Sequence, residues 1–479
     1  MLKRSLVKDK IIIQPIHIQL LHNEVFMGPC RYGEGNDLTY EGEMHVTKIK
    51  IKEFDEDIKK NIDERAAVVL DTKLMEWNED FIVKEDRLNK ALENDAEVDL
   101  YLLTGGMISY IASIIAEHTG KPIAFCPVSG SAFPRLGGID AAAYLKAKGI
   151  EEVYNALNYD DLNSIIRAIK ARKALRQTKA LYALRNNVLS IGCISSFINL
   201  SDITKRFGME IIHYNSLEFF NELDHMSTED EEKAKELLKK LTSQANSISI
   251  PVEEMLNDVR FYVIANKILD RFECNAFTLP CFELCATKQL NNRHFMFCLT
   301  HSLLKDEGIA SACAADVGSI LSLQILMSIA QKAPHMGNCA IYCNELENNK
   351  MRILHDVCSK YMKGYDSAPL PVDYVSYTKG NWGATMRYDF SKDIGQTITM
   401  INISPDMNKI MIGRGTICGG EGYLTPECTH AVVFHVTDSR DFYEKESQIG
   451  HHFAWVYGDY TKDLIAFAKL MNLKAVLAL

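Results

Sequence analysis

At 479 residues the chain is too long for one hydrophobic core, so length alone predicts about two to four domains. With 47% hydrophobic and 24% charged residues, the composition is that of an ordinary soluble globular protein. A net charge of −10 and a pI near 5.8 exclude the clustered basic excess that a nucleic-acid footprint needs.

Ile11–Ile16, Ala67–Leu70, Asp99–Leu103 and Pro122–Phe125 are short runs rich in Val, Ile and Leu, and each reads as a strand. The charged helical stretch Glu79–Asn94 and the amphipathic Met107–His118 alternate with them. That alternation predicts βαβ units around a parallel sheet. Thr104-Gly105-Gly106 follows a strand and precedes a helix, so its amides either face a ligand or make a tight turn. The basic run Arg167–Arg185 has the spacing of a helix's solvated side or a subunit contact, an anionic-ligand patch being the alternative.

Val188–Ile191 and Glu210–Tyr214 read as strands, and Thr228–Ser243 as an exposed charged helix. Pro251–Arg271 reads as a longer helix, with Pro in its first turn and Glu253 and Glu254 behind it. Ala276–Leu279 reads as a buried strand running into Cys281-Phe282-Glu283. Gly308–Ala330 is a strand end and a long apolar helix, whose most apolar part, Gly318–Ala330, contains Gln324 and is too short to span a bilayer. From about Pro369 to Val436 a period of two dominates, predicting an antiparallel barrel or sandwich in which Gly413-x-Gly415 and Gly419-Gly420 are turns and bulges. A final helix, Thr461–Met471, closes the chain.

The basic opening Met1–Lys10 leads into a short strand-like run, so no signal peptide is read there. Thirteen scattered cysteines without a CxxC pair point to reduced thiols in a cytoplasm. The expected fold class is α/β: two Rossmann-like α/β domains (1–175 and 176–360), then an antiparallel β-barrel-like domain with a terminal helix (361–479).

Four short segments say more than the periodicity does. Cys313-Ala314-Ala315-Asp316 opens the apolar helix, and Gly337-Asn338-Cys339 follows it. Ile353-Leu354-His355-Asp356-Val357-Cys358 comes next, and His451-His452-Phe453-Ala454 precedes Tyr457-Gly458-Asp459 and Asp463-Leu464. With the domain order, these segments resemble the L-fucose isomerase and L-arabinose isomerase superfamily. The resemblance implies a metal centre at Ala314, Asn338, His355 and His452, where the family has two acids and two histidines. It implies aldose–ketose interconversion through an ene-diol, with a divalent ion, usually Mn²⁺, polarising the carbonyl. It also implies a small-molecule sugar or sugar derivative as partner, with no nucleic acid or membrane, and a cytoplasmic homotrimer or homohexamer. In such an assembly Thr104 and Arg31 are substrate-binding candidates at a neighbour's site.

This chain keeps both histidines of that centre and neither acid. Ala314 offers no ligand and Asn338 only a neutral carbonyl oxygen, which cannot act as a general base. His355 and His452 are therefore the metal-ligand candidates, and Asn338 is a substrate-binding and catalytic candidate. Glu283 is the candidate replacement carboxylate, with Glu307 behind it; the plainer alternative is a structural acid paired with Lys288 or Arg293. Asp316 is expected on a different helix face from Ala314. Cys313 and Cys339 suit Zn²⁺ together with the histidines, the plainer alternative being Cys339 and Cys343 as small buried hydrophobes. Two functional readings stand: a sugar isomerase with an altered metal site, and a non-catalytic carbohydrate-binding homologue that has lost the metal. A nicotinamide cofactor is set aside, because no G-x-G-x-x-G occurs.

Overall fold

The apolar runs of the first third pair as a parallel sheet. The computed structural model describes residues 4–23, 39–106, 108–127, 133–183 and 192–479. Arg31 and the strand expected at Val188–Ile191 lie outside them. Residues 9–170 form one compact unit. In it β1 (Ile11–Leu20) carries β2 (Ala67–Val69) and β3 (Lys73–Trp77) along one edge and β4 (Leu100–Gly105) along the other. The sheet continues through β5 (Ile123–Phe125) to β6 (Val153–Asn155), every pairing parallel. The connecting helices are α1 (Tyr40–Asn61), α2 (Glu85–Ala91), α3 (Ile108–Thr119) and α4 (Phe133–Ala147), and α5 (Tyr159–Gln177) leads the chain onward. Ile16, Ile18, Leu103, Ile111, Ile115 and Phe125 meet in the core of this Rossmann-like layer.

One expectation fails on α5. Lys170 and Arg172 are buried, at 2% and 8% exposure, instead of lying on a solvated face. The long Lys170 stem is buried while its ammonium finds a carbonyl, that of Arg65 at 3.3 Å.

The second unit comprises residues 1–8 and 171–479. Its parallel sheet contains β7 (Lys179–Ala183) and β8 (Glu210–Tyr214), flanked by α6 (Ser201–Phe207), α7 (Ser216–Asp224) and α8 (Thr228–Ser243). After the two-residue β9 (Ser247–Ile248), α9 (Val252–Arg271) begins behind Pro251, as its sequence predicts. The sheet is completed by β10 (Ala276–Thr278) and β11 (Ala310–Ala312), in the order β11-β10-β7-β8. The segment from Cys281 to Glu283 does not extend β10. It begins α10 (Cys281–Ala286), because Pro280 supplies no N–H to continue a ladder. Next come α11 (Cys298–Asp306) and α12 (Val317–Ala330). Every residue of α12 is buried, as a helix apolar on all sides requires. It packs against β10 and β11 and also against three strands of the barrel that follows.

That barrel begins earlier than the alternation at Pro369 suggests. Its first strands are β12 (His335–Ala340) and β13 (Lys350–Leu354). By contrast β14 (Asp373–Ser376) and β15 (Ala384–Arg387) leave it, to form a small sheet with β9. With β16 (Thr397–Ile403), β17 (Lys409–Glu421), β18 (Ala431–His435) and β19 (His452–Tyr457), the ring runs β16-β19-β12-β13-β18-β17 and closes on β16 by antiparallel pairs. Gly413 and Gly415 lie inside β17 rather than in turns. A Cβ at Gly415 would come within 2.5 Å of Phe434, so the close strand approach explains the glycine. The bulge expected near Gly419 is present. After α13 (Ser439–Glu446) and α14 (Thr461–Leu470) the chain does not stop at the helix, since β20 (Lys474–Ala478) adds in parallel to β17. No helix among the described residues is long and apolar enough to cross a membrane.

Arg387 in β15 and Asp356 just past β13 form an ion pair of 2.6 Å with both side chains fully buried. The same guanidinium donates to the carbonyls of Gly422, Tyr423, Thr425 and Glu427, fixing the loop before β18. Removing one partner strands the other charge in the interior. Arg387→Met is therefore expected to lower unfolding free energy by about 3–5 kcal/mol in urea titrations. Lys8→Ala, which breaks the exposed Lys8–Asp366 pair of 3.1 Å, should change it by less than about 1 kcal/mol.

Candidate functional site

Strand register brings residues far apart in sequence into one row. Asn338 in β12 lies opposite His452 in β19 on one side and Leu354 in β13 on the other. His355 follows Leu354 directly, and its amide is held by the His430 carbonyl at 2.9 Å. Ala314 arrives from the β11–α12 turn, where Ala314 and Ala315 take left-handed φ angles of 60° and 55°. Such angles cost a non-glycine residue about 1–2 kcal/mol each. The turn is held by the Ala315 amide, which donates to the Leu279 carbonyl at 2.7 Å.

Ala314, Asn338, His355 and His452 all line one cavity of about 300 Å³, at the small end of the range for ligand sites. Phe282, Met296 and Phe297 supply apolar walls, and five thiols (Cys281, Cys285, Cys298, Cys313 and Cys428) share the lining with Tyr377. The His355 and His452 ring centroids are 6.2 Å apart. Cys428 Sγ and His355 Nδ1 share a hydrogen bond of 3.2 Å. Burial, aided by the nearby His452, pushes the His355 imidazole down to about 3, so it is neutral near pH 7.

Behind His452 stands Asp316, which, in line with the expected difference of face, does not share the cavity wall with Ala314. Asp316 is the N-cap of α12 and accepts from the Ser319 amide at 3.0 Å. It also accepts from the Ser319 hydroxyl at 2.6 Å, the Ser196 hydroxyl at 2.6 Å and His452 Nδ1 at 2.7 Å. Burial alone would push this carboxyl up. The His452 hydrogen bond and charge, with the two hydroxyls, outweigh it and hold the group below the usual carboxylate range.

The other predicted residues are spread more widely. Glu283 is half-buried on α10, whose Cys281, Phe282 and Cys285 line the cavity while Glu283 does not. Arg293 pairs with Asp224 at 2.6 Å, and Glu307 accepts from Tyr262 Oη at 2.5 Å. Cys313 Sγ lies 3.1 Å from Cys281 Sγ. Cys339 faces away from Asn338 and lines a second cavity of about 460 Å³ with Cys193, Glu446 and His451. Thr104 lies one residue before the end of β4 in the unit of residues 9–170. Sequence reading missed Cys193, Tyr377 and Cys428, which carry no local pattern. Asp316 did carry a signal: an aspartate directly before an apolar helical run is an N-cap signature.

A hard Mn²⁺ ion does not fit these residues. Among the described residues no carboxylate lines the cavity, and both Asp316 oxygens already accept hydrogen bonds.

Parallel α/β layers and a closed antiparallel barrel, with a small cavity walled by two histidines, an amide and thiols, define a mixed α/β chain whose barrel side carries a cavity of small-ligand size. No family model matches it. Over 315 residues, 64% of this chain and 67% of each relative, it is 23% identical to proteins named sulfoquinovose isomerase from Priestia aryabhattai and Priestia megaterium.

Acid sensitivity follows from the buried imidazoles. Burial holds His301, His355 and His430 each down at about 3. The unfolded chain takes up these protons near pH 6.5 and the folded chain does not. Their contribution to stability is complete above pH 6.5 and is lost as pH falls from there towards 3. Burial also raises Asp306, Asp356 and Glu446 to about 7, 6 and 8, which opposes this loss over the same range. Urea titrations at pH 7.5, 6.5, 5.5 and 4.5 should therefore show each imidazole's share as a pH slope about 1.4 kcal/mol per unit shallower below pH 6 in its His→Gln variant than in the parent.

Proposed function

We propose that the chain is a sugar isomerase-like protein of carbohydrate metabolism, with an altered metal site, and that the sugar occupies the cavity around Asn338, His355 and His452. The observation that supports this is convergence: the four positions singled out in sequence line one cavity of ligand size. The relatives' name, sulfoquinovose isomerase, agrees in kind.

Isomerisation needs a group that takes the C2 proton of an aldose and returns a proton to C1 of the ene-diol, with a second proton passing between the two oxygens. His452 suits that work. Asp316 fixes its Nδ1 and stabilises the imidazolium that forms, as the carboxylate of a catalytic dyad does. Asn338 and Tyr377 offer hydrogen-bond donors to the sugar oxygens where charge develops. Glu283, the second acid–base candidate, sits on α10 beside the wall residues Phe282 and Cys285 but outside the lining, so a proton role for it needs a side-chain rotation towards the sugar. The assembly we propose is a cytoplasmic homotrimer or homohexamer, with Thr104 and Arg31 at a neighbour's site.

The competing reading is a non-catalytic carbohydrate-binding homologue, favoured by the lack of any carboxylate on the cavity wall among the described residues. NMR of sulfoquinovose and of unsubstituted hexoses in D₂O separates the two. Ketose formation with deuterium entering its C1, reduced about 100-fold in Asp316→Asn with sugar binding kept within a few-fold, supports the isomerase. Saturable binding without deuterium uptake would establish the binding homologue. The double variant Ala314→Glu with Asn338→Asp is expected to make turnover depend on Mn²⁺, by restoring the anionic oxygen donors that ion needs.

A further inference from the structure

We infer that Cys193, His451 and His452 form a binding site for a borderline-soft divalent ion of the zinc class, at the wall between the two cavities. Their donor atoms all lie within 4.8 Å of one another. Zinc bonds of about 2.3 Å to sulfur and about 2.0–2.1 Å to nitrogen place tetrahedral donors about 3.3–3.6 Å apart, so small side-chain rotations close the site. One thiolate and two imidazoles select zinc over manganese by softness, where the missing carboxylates would have selected the reverse.

Backbone geometry explains how two consecutive histidines reach one point. In a regular strand they would face opposite ways. His451, however, precedes β19 and follows Gly450, whose φ is 125°, and the two rings lie with centroids 4.5 Å apart. Cys193 comes from the segment just before α6, and its Sγ sits 3.7 Å from the Asp316 carboxylate.

Asp316 completes the arrangement. A metal-ligating histidine usually gives its other ring nitrogen to a carboxylate, which fixes the tautomer and ring plane. His452 Nδ1 makes that bond to Asp316 at 2.7 Å, so ligation through Nε2 would preserve it. The fourth position of a tetrahedral ion would face the cavity of about 460 Å³ that Cys193 and His451 both line, open to water or a ligand oxygen.

The test uses the full chain, stripped with a chelator and titrated with Co²⁺ and Zn²⁺ alone. One ion per chain is expected, with a thiolate-to-cobalt charge-transfer band and the visible spectrum of four-coordinate cobalt. Cys193→Ser should lose the band and weaken binding about 100-fold or more, and Asp316→Asn should weaken it about 10–100-fold. His451→Gln changes an exposed residue, so it tests the site without burdening the fold. Cys339→Ser, a thiol of the same cavity outside the donor set, should bind as the parent does. Binding unchanged in both Cys193→Ser and His451→Gln, or no stoichiometric uptake by the parent, overturns the site. The readout is ion binding, so its failure leaves the sugar reading standing, and absent sugar turnover leaves the ion site standing.

Discussion

The site depends on one buried carboxylate. Asp316 is 2% exposed, and a carboxylate so placed is tolerated only when nearly every lone pair is engaged. Its partners come from three places: Ser196 before α6, Ser319 in the first turn of α12, and His452 at the start of β19. The helix cap, the segment carrying Cys193 and the barrel edge are thus fastened at one point. The left-handed turn at Ala314 and Ala315 has the same origin, since it delivers Asp316 to the cap position at the end of β11. Backbone strain of this kind survives where surrounding structure over-determines it, and the four hydrogen bonds to Asp316 do so here.

Barrel register then sorts the chemistry. Because alternate residues of a strand face opposite ways, Asn338 looks into the small cavity and Cys339 into the larger one. The pairing of Asn338 with His452 places the amide and the imidazole side by side, and β13 ends where His355 joins them. A slip of one residue along β12 would exchange Asn338 for Cys339 and remove the amide from the small cavity. The buried Arg387–Asp356 pair stands directly behind His355 in sequence, so the anchor of the loop before β18 also fixes the third member of the row.

Much of this was legible because it is local. Glu210–Tyr214 and Thr228–Ser243 have the bounds their patterns predict, and the helix from Val252 starts behind its proline. The total burial of α12 was written in its lack of a polar face. What escaped was set by partners distant in sequence. Nothing near β12 and β13 announces that they close a barrel with β18 and β19. Lys170 looks like a surface lysine until the carbonyl of Arg65 is seen to receive it. The candidate site divides in the same way: His355, His452 and Asn338 stood out by the resemblance of their segments to a known family, whereas Cys193 depends on a contact with Asp316 that no window of sequence contains.

Alanine and asparagine at positions 314 and 338 leave the small cavity without an anionic oxygen. Anionic oxygens at positions 314 and 338 would hold a hard ion inside the small cavity. With alanine and asparagine there, the remaining ion-binding donors around His452 are a thiol and imidazoles on the side of the larger cavity. His452 is the one residue common to both arrangements, and its ring cannot ligate an ion and take a proton through the same nitrogen. Asp316 serves either role without moving, because fixing Nδ1 is what a general base and a zinc ligand both require. The carboxylate that stands off the cavity wall is therefore the feature that keeps this histidine chemically useful where no acid lines the cavity.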